Sequence, residues 1–296
     1  MKNNNWQKEE QNWKIVRNRM CIRAMLIFLG IILMQVLAYM ICTVAVMIYA
    51  MVSGHNTLVL FTDMAGTKMS NSFLMWISLV SALLSIIWCG ILYKRSDWRE
   101  EKFDYKKAFS MKNVLAVCGV GIGGCLILTM LLSFLAMLFP QGFTAYNTMM
   151  EGLTDSSVLV TVIYVLLVGP IAEELIFRGA ILDRFYLAFP FLLANALQAL
   201  LFGLYHMNLI QGLYAFCLGF VLGLIRHVTG SILISMLCHI LFNATSYGLD
   251  ILFPSEREIQ IWHMILLLLI GVLTCVLGVK YLWKGYKEKE SSLSGE

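Results

Sequence analysis

Charged side chains are scarce in this chain. Lysine, arginine, aspartate and glutamate make up 14% of its 296 residues, whereas 59% are hydrophobic. Soluble domains carry about 25% charged residues, so this composition, with a mean hydropathy of +0.77, excludes a soluble globular protein. With only four prolines and no Pro/Gly/Ser-rich linker, nothing divides the chain into separately folding soluble units. A polytopic membrane protein is predicted.

Paired cysteines are also missing. The chain has eight cysteines but no CxxC pair and no cluster in a loop. All of them lie in or beside apolar runs, where cysteine is typically a small packing residue. The spacing therefore argues against a disulfide framework and a cysteine-based zinc site.

Long apolar runs are what the chain does have. A spanning helix needs about 20 mostly apolar residues, and eight runs meet this length. They predict an all-α polytopic membrane helix bundle of about eight transmembrane helices, at residues 24–50, 72–93, 113–139, 158–177, 187–206, 208–225, 231–250 and 261–283.

The basic residues predict the orientation of the bundle in the lipid bilayer. If the spans alternate, one side receives the N-terminal segment, the loop 94–112 and the C-terminal tail, all rich in lysine and arginine. The opposite side receives only Lys68 and Arg257. Because cytoplasmic loops retain basic residues, both termini are expected in the cytoplasm. The net charge of +4 reflects this topology, and no nucleic-acid partner is expected.

Glycine patterns in the spans are explained by helix packing. Gly119, Gly121 and Gly124 satisfy GxGxxG, but a dinucleotide site needs a preceding strand and an acid about twenty residues further on. Neither is present. Close helix packing is the better interpretation, as it is for Gly219 and Gly223. Since that pair can pack within or between monomers, the oligomeric state stays open.

Polar residues at membrane depth divide the chain into three parts. Residues 1–157 form a cytoplasmic segment and three accessory spans that contain no intramembrane acid or histidine. Residues 158–250 carry nearly every polar residue expected at depth and form the core that holds the predicted functional site. Residues 251–296 supply the last span and a basic tail.

Two adjacent carboxylates lie inside the fourth apolar run. An ionised group in hydrocarbon costs roughly 2.5 to 3.5 kcal/mol on insertion scales, so such residues indicate a functional site. Glu174 and Arg178 are four residues apart and can form an ion pair on one helix face. That pairing leaves Glu173 without a partner.

Three further polar residues follow in the same part of the chain. His206 ends the fifth span, while His239 and Asn243 are four apart and share one helix face. Each of them singly is typical of helix packing. Together with Glu173 they form an inventory suited to acid/base chemistry and oxyanion stabilisation.

The residue count predicts that two of these groups meet. A turn at Phe189-Pro190 places Glu173 sixteen residues before Phe189 and His206 seventeen residues after it. The two side chains are then at matching heights in a helical hairpin. A shared cavity open to the cytoplasm is expected.

The motifs resemble those of one family. Glu-Glu-x-x-x-Arg at 173–178, Phe-x-x-x-His at 202–206 and His-x-x-x-Asn at 239–243 are similar to the CPBP family of intramembrane glutamic endopeptidases. That family includes the CAAX prenyl protease of eukaryotes and bacterial relatives of the bacteriocin-processing and immunity type. The resemblance covers residues 158–247 and implies a bacterial cell-membrane protein.

This resemblance implies an intramembrane endopeptidase that hydrolyses a peptide bond of a peptide or membrane-protein substrate. Glu173 would activate the attacking water without a cofactor, and His206 would help to hold that water. His239 and Asn243 would donate hydrogen bonds to the oxyanion.

Glu174 and Arg178 would support this site. One alternative keeps the same residues but gives them a metal, with Glu173, His206 and His239 as three zinc ligands. Two different classes of protein also fit these residues. One is a non-catalytic membrane immunity or binding protein, and the second is a transporter, although the chain has no internal repeat typical of transporters.

Overall fold

The computed structural model describes residues 2–54, 68–94, 109–154, 157–253 and 260–294. Within these ranges the chain is helical and contains no strand. Seven of the helices are long and apolar enough to cross a membrane, which confirms an all-α polytopic bundle. The helices are α1 (Lys2–Ser53), α2 (Lys68–Lys94), α3 (Met111–Leu138), α4 (Thr144–Thr154), α5 (Val158–Ala188), α6 (Phe191–Tyr205), α7 (Leu209–Thr229), α8 (Ile232–Leu252) and α9 (Ile261–Ser294).

The fifth predicted span, 187–206, is shorter in the structure than the sequence suggests. Helix α6 has 15 residues, about 22 Å at a rise of 1.5 Å per residue, and a bilayer core is about 30 Å thick. Seven spanning helices and one shorter apolar helix therefore replace the eight predicted spans. The break before α6 lies where it was predicted. Phe189 is extended (φ −143°, ψ 158°), which is the conformation favoured for a residue that precedes proline.

Helix α5 is not a regular α-helix along its whole length. It contains π-helical turns at Tyr164–Val168 and Glu174–Ile181. Pro170 lacks a backbone N–H and cannot donate the regular hydrogen bond within α5, so the ladder is interrupted next to the first of these turns. The second turn begins at Glu174, and π-helical turns are frequent at functional sites.

Helices α6 and α7 form a hairpin that is closed by small residues. A Cβ atom at Gly219 would lie 2.9 Å from the Phe202 ring, and one at Gly223 would overlap the Asn195 side chain in α6. These two glycines therefore pack within the chain, where the sequence allowed either packing within or between monomers.

The glycines of α3 support the packing interpretation in part. A Cβ at Gly119 would lie 2.8 Å from the Thr274 carbonyl oxygen in α9, and one at Gly121 would lie 2.9 Å from the Cys238 carbonyl oxygen in α8. Gly124 has open space at this position, with nothing within 4 Å. Two of the three motif glycines thus serve close approach of helices.

One face of the bundle collects several helix ends. The Arg226 Nη2 atom, near the end of α7, lies 2.6 Å from Asp183 Oδ1, near the end of α5. On the α9 tail, the Tyr286 hydroxyl lies 3.5 Å from His227 Nε2. We call this end of the bundle, which carries Arg226 and the α9 tail, the basic face. The count of basic residues assigns it to the cytoplasm, and that assignment stays a prediction. Arg257 and residues 95–108, which also entered the count, lie outside the described residues.

Candidate active site

Glu174 is the centre of the polar cluster. Its side chain and that of Arg178 are fully buried, and Arg178 Nη1 lies 2.8 Å from Glu174 Oε1. The predicted ion pair is therefore present. Ser235 donates its hydroxyl hydrogen to Glu174 Oε2 over 2.6 Å, so that both carboxylate oxygens are bound. This carboxylate is compensated in the way that a buried charge requires.

His239 connects the two glutamates. Its Nδ1 atom lies 3.0 Å from Glu174 Oε1, and its Nε2 atom lies 3.6 Å from Glu173 Oε2. The residue is 2% exposed, so the imidazole is held between the carboxylates away from solvent. The imidazole ring of His239 thus links α8 to Glu173 and Glu174 on α5.

Glu173 differs from Glu174 in its access to open space. Its side chain is 14% exposed and borders a small cavity of about 10 Å³, about the room that one water molecule needs. The cavity is open because the neighbouring residues of α2 and α5 have small side chains, and two tyrosine rings form its other walls. The other lining residues are Ala82, Ser85, Tyr164, Gly169, Ala172, Ile176 and Tyr205.

The lining of this cavity was not anticipated. Tyr164 and Gly169 precede Glu173 in α5, and α5 runs toward the basic face. On α5 the cavity is bordered by Tyr164, Gly169 and Ala172 before Glu173 and by Ile176 after it. The predicted opening to the cytoplasm stays a prediction.

The Phe202 ring brings His206 into the cluster. The Arg178 guanidinium lies over this ring at 4.4 Å from its centroid, and the rings of His206 and His239 lie edge-on to it at 4.9 and 5.9 Å. Phe177 packs against both Phe202 and the neighbouring Tyr205, at 5.0 and 5.7 Å. The contacts of Arg178 and Phe177 with Phe202 join α5 to α6, and the predicted meeting of Glu173 with His206 stays a prediction.

His206 caps the last turn of α6. Its Nδ1 atom lies 2.8 Å from the carbonyl oxygen of Phe202, one of the carbonyls that a helix end leaves without an intrahelical partner. A carbonyl oxygen only accepts, so Nδ1 carries the hydrogen in this contact. Nε2 is then the acceptor of the neutral ring.

Asn243 occupies a different place from the other predicted residues. Its side-chain amide donates to the carbonyl oxygen of Val165 over 2.9 Å. Val165 lies in the first π-helical turn of α5, where the hydrogen-bond ladder is irregular. The structure thus places Asn243 against α5, one turn of α8 beyond His239, and outside the hydrogen bonds around Glu174.

A second ion pair holds the same segment from the basic face. Besides its contact with Asp183, Arg226 donates from Nη1 to the carbonyl oxygen of Arg178, inside the second π-helical turn. Arg226 is not among the predicted site residues. Its contact explains how α7 restrains the part of α5 that carries Glu173 and Glu174.

Sequence reasoning missed several residues of the core helices. Ser235 could have been found, because it is four residues before His239 and so shares its helix face. Asn195 and Gln198 form a buried network, in which Gln198 donates to Asn195 Oδ1 over 2.8 Å and to the Gly219 carbonyl over 2.9 Å. For the two cavity tyrosines, the linear sequence carries no signal.

Metal ligands are not grouped in the part of the chain that the structure describes. Within it, no three histidine, cysteine, aspartate or glutamate side chains are arranged so that they could hold one metal ion. Glu173, His206 and His239 belong to this part. The zinc alternative therefore has no geometric support and stays a prediction.

Comparison with known proteins identifies one family. The family model "Rce1-like: Type II CAAX prenyl endopeptidase Rce1-like" matches residues 155–245, close to the predicted core 158–250. That segment contains all the predicted site residues. No curated protein and no solved structure matches the chain. Residues 155–245 of this chain are thus similar to the Rce1-like family of type II CAAX prenyl endopeptidases.

Proposed function

We propose that this protein is an intramembrane endopeptidase in which Glu173 activates the attacking water. The observation that carries the proposal is the position of Glu173: it alone of the two adjacent glutamates borders the cavity, whereas Glu174 is fully buried. The family match supports peptidase activity in general. General acid–base catalysis of this kind contributes about 10²- to 10⁴-fold to the rate.

The reaction uses one water molecule in the cavity. Glu173 removes a proton from this water as its oxygen attacks the carbonyl carbon of the scissile peptide bond, and a tetrahedral oxyanion forms. When the carbon–nitrogen bond breaks, the proton passes to the leaving amine and Glu173 is again a carboxylate. The amine and the carboxylic acid product then leave the site. His206, whose Nε2 is an acceptor, orients the water with Glu173.

His239 and Asn243 stabilise the oxyanion in this proposal, and His239 does so from Nε2 when its ring carries a hydrogen on both nitrogens. An amide nitrogen carries two hydrogens, and Asn243 uses one of them for the Val165 carbonyl. The second hydrogen is available to the oxyanion. Each such donor is typically worth about 2.7 to 4 kcal/mol.

The substrate is a peptide or a membrane protein, since the scissile bond must reach Glu173 between apolar helices. We also place the basic face in the cytoplasm, with both termini on that side. A bacterial cell membrane is the setting that the immunity-type relatives suggest. A non-catalytic immunity or binding role is the alternative that the following experiment tests.

The test is cleavage of a quenched-fluorescent peptide panel by the purified full-length protein in detergent. Glu173→Gln is expected to lower kcat by about 10²- to 10⁴-fold. Glu288→Gln is the matched control, because this glutamate is 68% exposed on the α9 tail and should leave kcat unchanged. Equal activity of wild type and Glu173→Gln would overturn the proposal.

A metal chelator separates the two mechanisms. The glutamate mechanism predicts that chelator leaves the wild-type kcat unchanged. Loss of activity with chelator and recovery with added zinc would favour the three-ligand zinc site.

A further inference from the structure

We infer that Ser235 is a positioning residue that acts through Glu174. It orients the Glu174 carboxylate, and this carboxylate in turn binds the Nδ1 hydrogen of His239. The Nε2 atom of His239 then faces Glu173. This inference rests on the proposed function, because it concerns the orientation of a group in that site. It assigns a positioning role to the buried hydroxyl group of Ser235 in α8.

Two acceptors compete for the Ser235 hydroxyl. The oxygen atom lies 2.6 Å from Glu174 Oε2 and 3.1 Å from the carbonyl oxygen of Ile232 in its own helix. Hydroxyl groups in helices commonly bond to a carbonyl of the preceding turn. A length of 2.5 to about 2.7 Å is typical of a hydroxyl that donates to a carboxylate. The shorter contact therefore indicates that the hydrogen points to Glu174.

The bond from Ser235 completes the orientation of the Glu174 carboxylate. Arg178 approaches Oε1 at 2.8 Å, and Ser235 approaches Oε2. With the Arg178 cation and His239 Nδ1 at Oε1 and the Ser235 hydroxyl at Oε2, rotation of the carboxylate about its last bond is restrained from both sides. Glu174, Arg178 and Ser235 have 0% exposure, so water does not replace Arg178 or Ser235 as a donor.

A restrained carboxylate determines how His239 is held. Glu174 is ionised in its pair with Arg178 and can only accept, so the hydrogen in the 3.0 Å contact belongs to Nδ1 of His239. The hydrogen bond made by one ring nitrogen decides the role of the other. Nε2 is left facing Glu173 Oε2 at 3.6 Å.

This arrangement differs from simple helix packing. A packing serine would need only its own-helix carbonyl, as Thr245 shows later in α8 with a 2.7 Å bond to the Leu241 carbonyl. Ser235 instead links α8 to α5 and is one turn from His239 on the same face. Loss of its hydroxyl should therefore affect the ring of His239 more than the helix.

The test compares Ser235→Ala, Ser235→Thr and the control Thr245→Val in full-length protein in detergent. Imidazole nitrogen NMR with isotope-labelled histidine, assigned with His239→Gln, reports which nitrogen of His239 carries hydrogen. The wild type is expected to show a protonated Nδ1, with part of that signal lost in Ser235→Ala and retained in Ser235→Thr and Thr245→Val. A wild-type proton on Nε2 only, or identical spectra of wild type and Ser235→Ala, would overturn the inference.

Kinetics give the second readout. Losing a hydrogen bond to a charged group should lower kcat in Ser235→Ala by about 10-fold to 100-fold, with KM within about twofold of wild type. Recovery of kcat in Ser235→Thr supports positioning, and an unchanged kcat in Ser235→Ala contradicts it. If Glu173→Gln stays active, the proposed function fails whatever the NMR spectra show. If Glu173→Gln is inactive and the spectra of wild type and Ser235→Ala are identical, only this inference fails.

Discussion

The accessory helices α1 to α3 and the core helices α5 to α8 are built from different kinds of contact. Within the described residues of α1 to α3, the buried polar side chains are two serines, Ser81 and Ser85, and no buried residue is charged. The core buries an ion pair, a histidine, an asparagine and a glutamine. Glycine contacts join α3 to α8 and α9, whereas hydrogen bonds of side chains join α5 to α7 and α8. Polar contacts in an apolar medium are costly unless every partner is present, so the core should tolerate fewer changes than the accessory helices.

The largest effect is expected from removing the buried cation. Arg178→Leu leaves the Glu174 carboxylate buried without its ion-pair partner, which should destabilise the protein by about 3–5 kcal/mol. Thermal unfolding in detergent, followed by circular dichroism, measures this as a lower Tm. The double variant Glu174→Leu with Arg178→Leu should regain part of the stability, because buried pairs can be replaced by apolar residues. A single variant as stable as wild type would contradict the role assigned to the pair.

A smaller loss is expected at the basic face. Arg226→Gln removes the contact with Asp183 and the bond to the Arg178 carbonyl, and hydrogen bonds to charged groups contribute about 1.5–3 kcal/mol. The control is Arg184→Gln, since the hydrogen bond that Arg184 makes among the described residues goes to the Ala180 carbonyl of its own helix. Tm should fall more for Arg226→Gln than for Arg184→Gln. Equal shifts would show that the link between α5 and α7 adds no stability.

Two glycines compare the regions directly. In the core, Gly223→Ala places a methyl group against Asn195, where overpacking costs about 1–3 kcal/mol. In accessory helix α3, Gly124→Ala enters open space and should gain up to about 1 kcal/mol from helix propensity. The two Tm shifts are therefore expected to have opposite signs. A fall in Tm for Gly124→Ala larger than that for Gly223→Ala would contradict the glycine contacts.

Much of the architecture could be predicted from composition and spacing. Apolar length determines which segments are spanning helices, and the break at Phe189-Pro190 follows from the backbone limits of proline. The ion pair of Glu174 and Arg178 was predicted from their separation of four residues. The depth of α6 was overestimated, because hydropathy counts apolar residues in the chain and does not register where the helix ends at His206.

The cluster around Glu174 could be predicted only in part. The sequence indicated which polar residues lie at depth, but it carried no information about which ring nitrogen meets which carboxylate oxygen. Glu174 was expected to support Glu173 through the helix, and the structure shows it bound to His239 and Ser235. The π-helical turns of α5 were not predicted, although Pro170 lies next to the first of them.

The sequence by itself determined the membrane location, the number and order of the helices to within one, and some of the buried polar side chains. These features depend on local apolar length and on residue type, both of which are properties of the linear chain. Only the tertiary structure decided that Glu173 borders a cavity while its neighbour Glu174 is enclosed. Adjacent residues on a helix point about 100° apart, and which of the two directions holds open space depends on the side chains that α2, α6 and α8 bring to them.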